Sequence, residues 1–201
     1  MSSSSSSNNN HKLEAPAAER NKEPIYDILK SQVLPLAGID SIITNDDQAS
    51  SSSVRLVEVG GGAGVHLNHF CRRLDEDLSS ADSNNFRLEY QSCDMEERYR
   101  NSIQWYIDKE LKDLNLKYVT ALPPLPLTLN ENGVVEPETQ AILYQTAPQT
   151  RIMLCFNVIH ISPWQATLGL MKLAGEVLQP GGVLFCYGPY LVNGTGVESN
   201  L

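Results

Sequence analysis

The sequence predicts an α/β fold: a Rossmann-like open, mainly parallel sheet with helices on both faces. Three observations carry that prediction. First, the apolar run Val54-Arg55-Leu56-Val57-Glu58-Val59 leads into a glycine turn, Gly60-Gly61-Gly62-Ala63-Gly64, and then into Leu67 to Leu78, which has helical spacing. Strand, glycine turn and helix in that order form the unit by which such sheets receive nucleotide-bearing ligands. Second, Arg151 to Phe156 and Val183 to Tyr187 are continuous apolar runs, the pattern of strands covered on both faces. Third, strand-like and helical stretches alternate along the chain, which calls for parallel strands joined by crossover helices.

Composition narrows the class. The 201 residues suffice for one domain with a real core. A formal net charge of −9 repels a polyanion, and no Lys/Arg cluster marks a basic groove, so nucleic acid is not the expected partner. No apolar run reaches the length of a membrane span, and the N-terminus has neither a signal-peptide core nor an Arg-rich transit character. Cys71, Cys93, Cys155 and Cys186 are widely and irregularly spaced, without zinc-ligand spacing. They read as thiols of a reducing compartment, and the cytoplasm is the expected location.

In chain order, residues 1–13 include a Ser/Asn tract with nothing to bury and are expected to be a disordered tail. The domain is expected over 14–201. Ile25, Ile28, Leu29 and Val33 mark the apolar face of a short helix, with Pro24 in its first turn and Pro35 as its stop. Asp46 to Ser53 is a polar linker. The first strand spans Val54–Val59, and a helix runs from about Ala63 to Leu78. A second strand starts at Phe86, Leu88 and Tyr90 and ends near Asp94; Met95 to Leu114 is helical. A third strand is expected at Lys117 to Ala121, because Pro123-Pro124-Leu125-Pro126 does not suit a central strand. An irregular insertion is expected around 128–150, with Val134-Val135 and Ala141 to Tyr144 pairing as a small hairpin. Trp164 to Leu178 is helical, started by Ser162 as cap and Pro163, and Gln179-Pro180-Gly181-Gly182 is a turn.

Candidate site residues gather where strands end. Gly60, Gly62 and Gly64 let backbone approach a ligand, and the helix that follows adds N–H donors. A dinucleotide fingerprint would need a glycine at Val65 or Leu67, and neither fits. Glu58, two residues before the first glycine, is instead the acid typical of S-adenosylmethionine-binding methyltransferases, where it attracts the cationic end of the cofactor. Asp94 ends the second strand and is the candidate for the ribose hydroxyls, or else a helix N-cap; Glu89 competes from mid-strand. Asn157 and His160 follow the fourth strand, Asn157 as a cofactor or substrate ligand and His160 as a general base or a packed loop residue. His66 and His69 are three apart on one helix but lack a third ligand in register, so no metal is expected. Trp105 and Trp164 read as packing residues. Arg20, Asn21 and Lys22 form a polar run that is a candidate lid or substrate contact, or an exposed cap.

These motifs together resemble a specific family. They are Glu19-Arg20-Asn21-Lys22-Glu23-Pro24-Ile25, Gly62-Ala63-Gly64-Val65-His66, Gln91-Ser92-Cys93-Asp94 with Ser102-Ile103 and Trp105, and Asn157-Val158-Ile159-His160-Ile161-Ser162-Pro163-Trp164. Leu178-Gln179-Pro180-Gly181-Gly182, Tyr187-Gly188-Pro189-Tyr190, Asn193-Gly194 and Glu198-Ser199-Asn200 extend the set. The chain resembles the methyltransferase-like 26 family, long filed as a domain of unknown function. The resemblance implies a class I methyltransferase-like fold and S-adenosylmethionine as cofactor, with an acceptor that is a small molecule or a protein. Two departures stand out. Thr128 occupies the place where the family carries an acid after the third strand, and the family chains continue into a further helix and a closing antiparallel pair. The sheet is therefore expected to lack its last strands and to leave the fifth strand exposed, so that the chain binds cofactor poorly, self-associates through that strand, or is a fragment or short isoform. The rival readings are a non-catalytic Rossmann-like scaffold or inactive short isoform and, more remotely, a nicotinamide oxidoreductase.

Overall fold

The structure is a computed structural model that describes residues 12–44, 52–80 and 86–191. Five parallel strands form one sheet in the order β3-β2-β1-β6-β7: β1 (Ser52–Val59), β2 (Phe86–Asp94), β3 (Val119–Pro126), β6 (Gln149–Phe156) and β7 (Val183–Tyr187). The order runs outward from β1 in both directions, so the switch point lies between β1 and β6, where their carboxyl ends open a crevice.

Alternation along β1 sorts the two layers. Val54 and Leu56 face α1 (Pro16–Ile28), α4 (Val65–Ser80) and α5 (Glu97–Tyr106), where Tyr26, Leu29, Leu67, Phe70 and Ile103 pack. Val57 and Val59 face α7 (Trp164–Val177) and α6 (Pro137–Leu143), where Leu170, Leu173 and Leu143 pack. The expected three-layer α/β architecture is what the chain adopts.

Several local expectations are corrected. The first helix begins at Pro16, so Pro24 lies inside it, on the exposed side. Helical backbone then continues through a π-turn at Leu29–Val33 and α2 (Leu34–Leu36), past Pro35, before α3 (Ile39–Thr44). β3 runs through Pro123, Pro124 and Pro126 because it is an edge strand and its pairing with β2 is interrupted by an irregularity opposite Pro123-Pro124. The 128–150 stretch is ordered. Its hairpin pairs β4 (Leu129–Asn130) with β5 (Gly133–Val134), and the segment expected to be the second hairpin arm is α6. The hairpin docks on α7 so closely that a β-carbon at Gly169 would lie 2.1 Å from the Asn130 carbonyl oxygen. Pro163, not Ser162, is the N-cap of α7. Trp164 is 65% exposed rather than a packing residue. Lys12 and Leu13, assigned to the tail, are in place: the Leu13 N–H donates to Ser102 Oγ at 3.0 Å. The rest of the expected tail, most of the 46–53 linker and the Asn193-Gly194 and Glu198-Ser199-Asn200 motifs lie outside the described residues.

Candidate functional site

The site is built at the carboxyl ends of β1 and β2. After Val59 the backbone turns through positive φ at Gly60, Gly62 and Gly64. Gly60 and Gly61 both donate N–H to the Cys93 carbonyl, at 2.9 and 3.0 Å, which ties the turn to the end of β2. The glycines then serve different needs. A β-carbon at Gly60 would lie 2.3 Å from Val158 Cγ2, one at Gly61 2.0 Å from Ser92 Oγ, and one at Gly64 3.0 Å from the Ile103 backbone. These three are small because protein packs on them. Beside Gly62 a β-carbon would meet nothing within 4 Å, so this is the glycine whose face is open.

Asp94 fixes that open face. Its Oδ2 accepts the Gly62 N–H at 2.9 Å and its Oδ1 the Glu96 N–H at 2.9 Å. It is therefore not the N-cap of α5, a place taken by Glu96. Burial pushes the Asp94 carboxyl up, and the two backbone donors pull it back. Each carboxylate oxygen keeps a second lone pair for a further donor. Glu89, the competing acid, is engaged elsewhere: Arg55, its neighbour on β1, binds its Oε2 at 3.1 Å.

Glu58 lies beneath the turn, 1% exposed, with its Oε2 3.2 Å from where a β-carbon at Gly61 would stand. Its Oε2 accepts the Ser92 hydroxyl at 2.7 Å, while Oε1 has no hydrogen-bond partner and sits 3.9 Å from His66 Nδ1. Burial pushes the Glu58 carboxyl up to about 7, and the hydroxyls of Ser92 and Tyr90 oppose this. Burial likewise drives His66 down to about 4, so its imidazole is neutral at pH 7. His66 Nε2 lies 3.0 Å from Asn21 Oδ1. With that oxygen as acceptor, Nε2 carries the proton and the Nδ1 lone pair faces Glu58 Oε1. Two acceptors facing each other favour a proton on Glu58.

Arg20, Asn21 and Lys22 do not precede the first helix; they lie within α1, because it starts at Pro16. Only Asn21 turns to the glycine-turn helix. Lys22 pairs with Glu19, and Arg20 is exposed. His69 Nε2 lies 2.8 Å from Glu23 Oε2, a structural tie between α1 and α4. Across the crevice, Asn157 takes a left-handed conformation (φ 57°) and donates its N–H to the Tyr187 carbonyl at 2.7 Å. His160 is exposed in the turn that follows, beside Gly188. Thr128 stands two residues beyond β3, and its N–H donates to Glu136 Oε2 at 2.8 Å. A carboxylate is thus present at this end of β3, brought by Glu136 from eight residues on.

Sequence reasoning missed Ser92, Glu136 and Val158 as parts of the site. Ser92 had a readable signal. It shares parity with Phe86, Leu88 and Tyr90 and so had to face the core, where a hydroxyl needs a partner. Glu136 and Val158 become neighbours of the site only through loop geometry.

A model of the family DUF938, described as a protein of unknown function, matches residues 12–201. The chain belongs to this family. Among solved structures, this DUF938 chain is similar to loganic acid methyltransferase with SAH, at a TM-score of 0.52 and 10% identity over 88% of the chain and 56% of that one. DszA carbon methyltransferase gives 0.45 at 19% identity, over 88% and 36%, and YJHP from E. coli gives 0.44 at 14%, over 88% and 51%. The DUF938 chain thus spans about half of these chains or less. The likeness is one of fold: a class I methyltransferase-like Rossmann sheet. Among the described residues no helix is long and apolar enough to cross a membrane.

Proposed function

We propose that this DUF938 chain is an S-adenosylmethionine-dependent methyltransferase domain, related within its family to methyltransferase-like 26 proteins, acting in the cytoplasm on a small-molecule or protein acceptor. The observation that carries the reading is the open face of Gly62, with its N–H held by the Asp94 carboxylate at the carboxyl ends of β1 and β2. The donor set suits the cofactor. Asp94 has lone pairs for a ribose diol, and Gly62 offers a surface without a side chain. Glu58 lies beneath the turn and, in its ionised form, adds negative potential there. Asn157 follows β6 at the same edge of the sheet, and Thr128 with Glu136 flanks the Asp94 end.

When bound, S-adenosylmethionine supplies a methyl group on a sulfonium, ready for attack by a nucleophile. The residues of this chain then hold donor and acceptor in line, which by itself lowers the barrier to such a transfer. His160, exposed in the turn after Asn157 and beside Gly188, is the candidate base for an acceptor that carries a proton. Its exposure is also what favours the rival reading, a binding module without turnover.

Titration calorimetry with S-adenosylmethionine and S-adenosylhomocysteine tests the proposal. Micromolar binding that is lost in Gly62→Arg is the expected result. No heat up to millimolar ligand, with the wild type folded, would move the assignment to the non-catalytic module.

A further inference from the structure

A pair of thiols outside the cofactor crevice has a geometry of its own. Cys155 on β6 and Cys186 on β7 are register partners on adjacent parallel strands. Both side chains face the α7 layer, where Cys155 is fully buried and Cys186 half-buried. Adjacent strands stand about 4.8 Å apart, inside the Cα separation of roughly 4.4–6.8 Å that a disulfide spans. Register partners on parallel strands do not offer the most relaxed β-carbon approach, and strained disulfides are the readily reduced, switchable ones. The other cysteines lie outside this pair. Cys93 stands in the same transverse row, but Val59 intervenes, which puts it roughly 10 Å from Cys155, beyond bridging distance. Cys71 is on α4, across the sheet.

We propose that Cys155 and Cys186 form a reversible, peroxide-responsive disulfide that staples β7 to β6 beside the Asn157 loop. Cys186 is the attacking thiol, being the more accessible of the two. Each thiol also biases the other: the facing Cys155 lowers Cys186 in pKa, whereas Cys186 together with burial raises Cys155. The Cys186 thiolate attacks one oxygen of hydrogen peroxide; the O–O bond breaks, hydroxide leaves and takes up a proton, and a sulfenic acid remains. The Cys155 sulfur then attacks Cys186 Sγ, the S–O bond breaks, and the hydroxyl leaves as water with the Cys155 proton. Two thiols and one peroxide give one disulfide and two waters. A thiol such as glutathione or dithiothreitol reverses the bond by exchange. Asn157 lies two residues after Cys155, and its N–H is bonded to the Tyr187 carbonyl, next to Cys186. The staple therefore clamps the base of the loop that carries Asn157 and His160. This inference does not depend on the cofactor assignment.

The test exposes the reduced, folded full chain to a small molar excess of hydrogen peroxide, followed by intact mass measurement and non-reducing peptide mapping. The expected result is loss of two hydrogens, a peptide that links Cys155 to Cys186, and full reversal by dithiothreitol. In Cys186→Ser the two-hydrogen loss disappears. In Cys155→Ser, dimedone captures a sulfenic acid at Cys186; should that buried variant not fold, the wild-type map and Cys186→Ser decide the matter. Both thiols remaining alkylatable after peroxide, or a bridge to Cys71, Cys93 or a second chain, would overturn the proposal.

Discussion

Glu58 and His66 face each other under the glycine turn, and their titrations oppose. Glu58 is raised by burial from an ordinary 4.5 to about 7. Between those values the folded chain holds a proton that the unfolded chain has lost, so this group makes stability fall as pH rises, and its contribution levels off above 7. His66 is lowered by burial from 6.5 to about 4. In that range the unfolded chain holds the extra proton, so stability rises with pH and is lost as pH falls toward 4. Where the windows overlap the two slopes nearly cancel. The wild type is therefore expected to show a flat urea midpoint between about pH 4.5 and 6.5 from this pair. Glu58→Gln, which can still accept from Ser92, exposes the His66 slope: stability climbing by up to about 1.4 kcal/mol per pH unit toward 6.5. His66→Gln exposes the opposite slope, falling toward pH 7. Parallel pH profiles in all three proteins would show that the two groups do not titrate as this pair. The open face of Gly62 sets a second residue-level expectation. Arg there costs about 1–2 kcal/mol for its left-handed backbone, so the variant folds while its cofactor binding is lost.

At the level of elements, α1 is where local preference and tertiary structure disagree most. Pro24 sits inside it, lacks the N–H that would bond the Arg20 carbonyl and crowds that carbonyl as well. Yet the helix holds, because Ile25, Tyr26 and Leu29 are fully buried against α4 and the sheet. Since Pro24 is exposed, Pro24→Ala is expected to raise stability by about 1–3 kcal/mol, read from chemical denaturation. An unchanged midpoint would mean that the helix already bends to relieve the clash. The same conflict explains what the sequence reveals and what it hides. β1, β6 and β7 were legible because apolar runs bounded by turn residues have few alternatives, and β2 because Phe86, Leu88 and Tyr90 alternate with polar residues. The early start of α1 and the course of β3 through three prolines were not, since each depends on what a neighbour covers or leaves free. The hairpin at Leu129–Val134 was misread for a related reason: Asn132-Gly133 marked the turn, but the pairing arms are two residues each and draw their stability from docking on α7. In the site, the glycine turn and Asp94 were legible from spacing. The roles of Asn21 with His66, and of Glu136 with Thr128, were not, because each links residues from separate elements.

For the whole molecule, the two edges of the sheet are unlike. β3 carries Pro123, Pro124 and Pro126, which offer no N–H to an incoming strand and so discourage edge pairing. Among the described residues β7 has no such guard. Its Val183, Leu184, Phe185 and Cys186 are only partly buried, whereas the corresponding residues of β6 are fully covered. Nearby, Ile161 and Trp164 are 75% and 65% exposed, and Leu168 and Met171 continue that apolar face along α7. An unguarded edge with apolar faces on either side favours pairing with another strand. The chain is therefore expected to self-associate through β7 as concentration rises, which sedimentation velocity over a concentration series measures directly. Leu184→Lys places a charge on that strand and is expected to weaken association at least tenfold, about 1.4 kcal/mol. Trp164→Glu separates the two surfaces, because it charges the α7 face and leaves the strand edge intact. Association that survives Leu184→Lys but fails in Trp164→Glu would transfer the contact to α7. A monomer at every concentration would mean that edge and face together are too small to hold a second chain against the entropy of association.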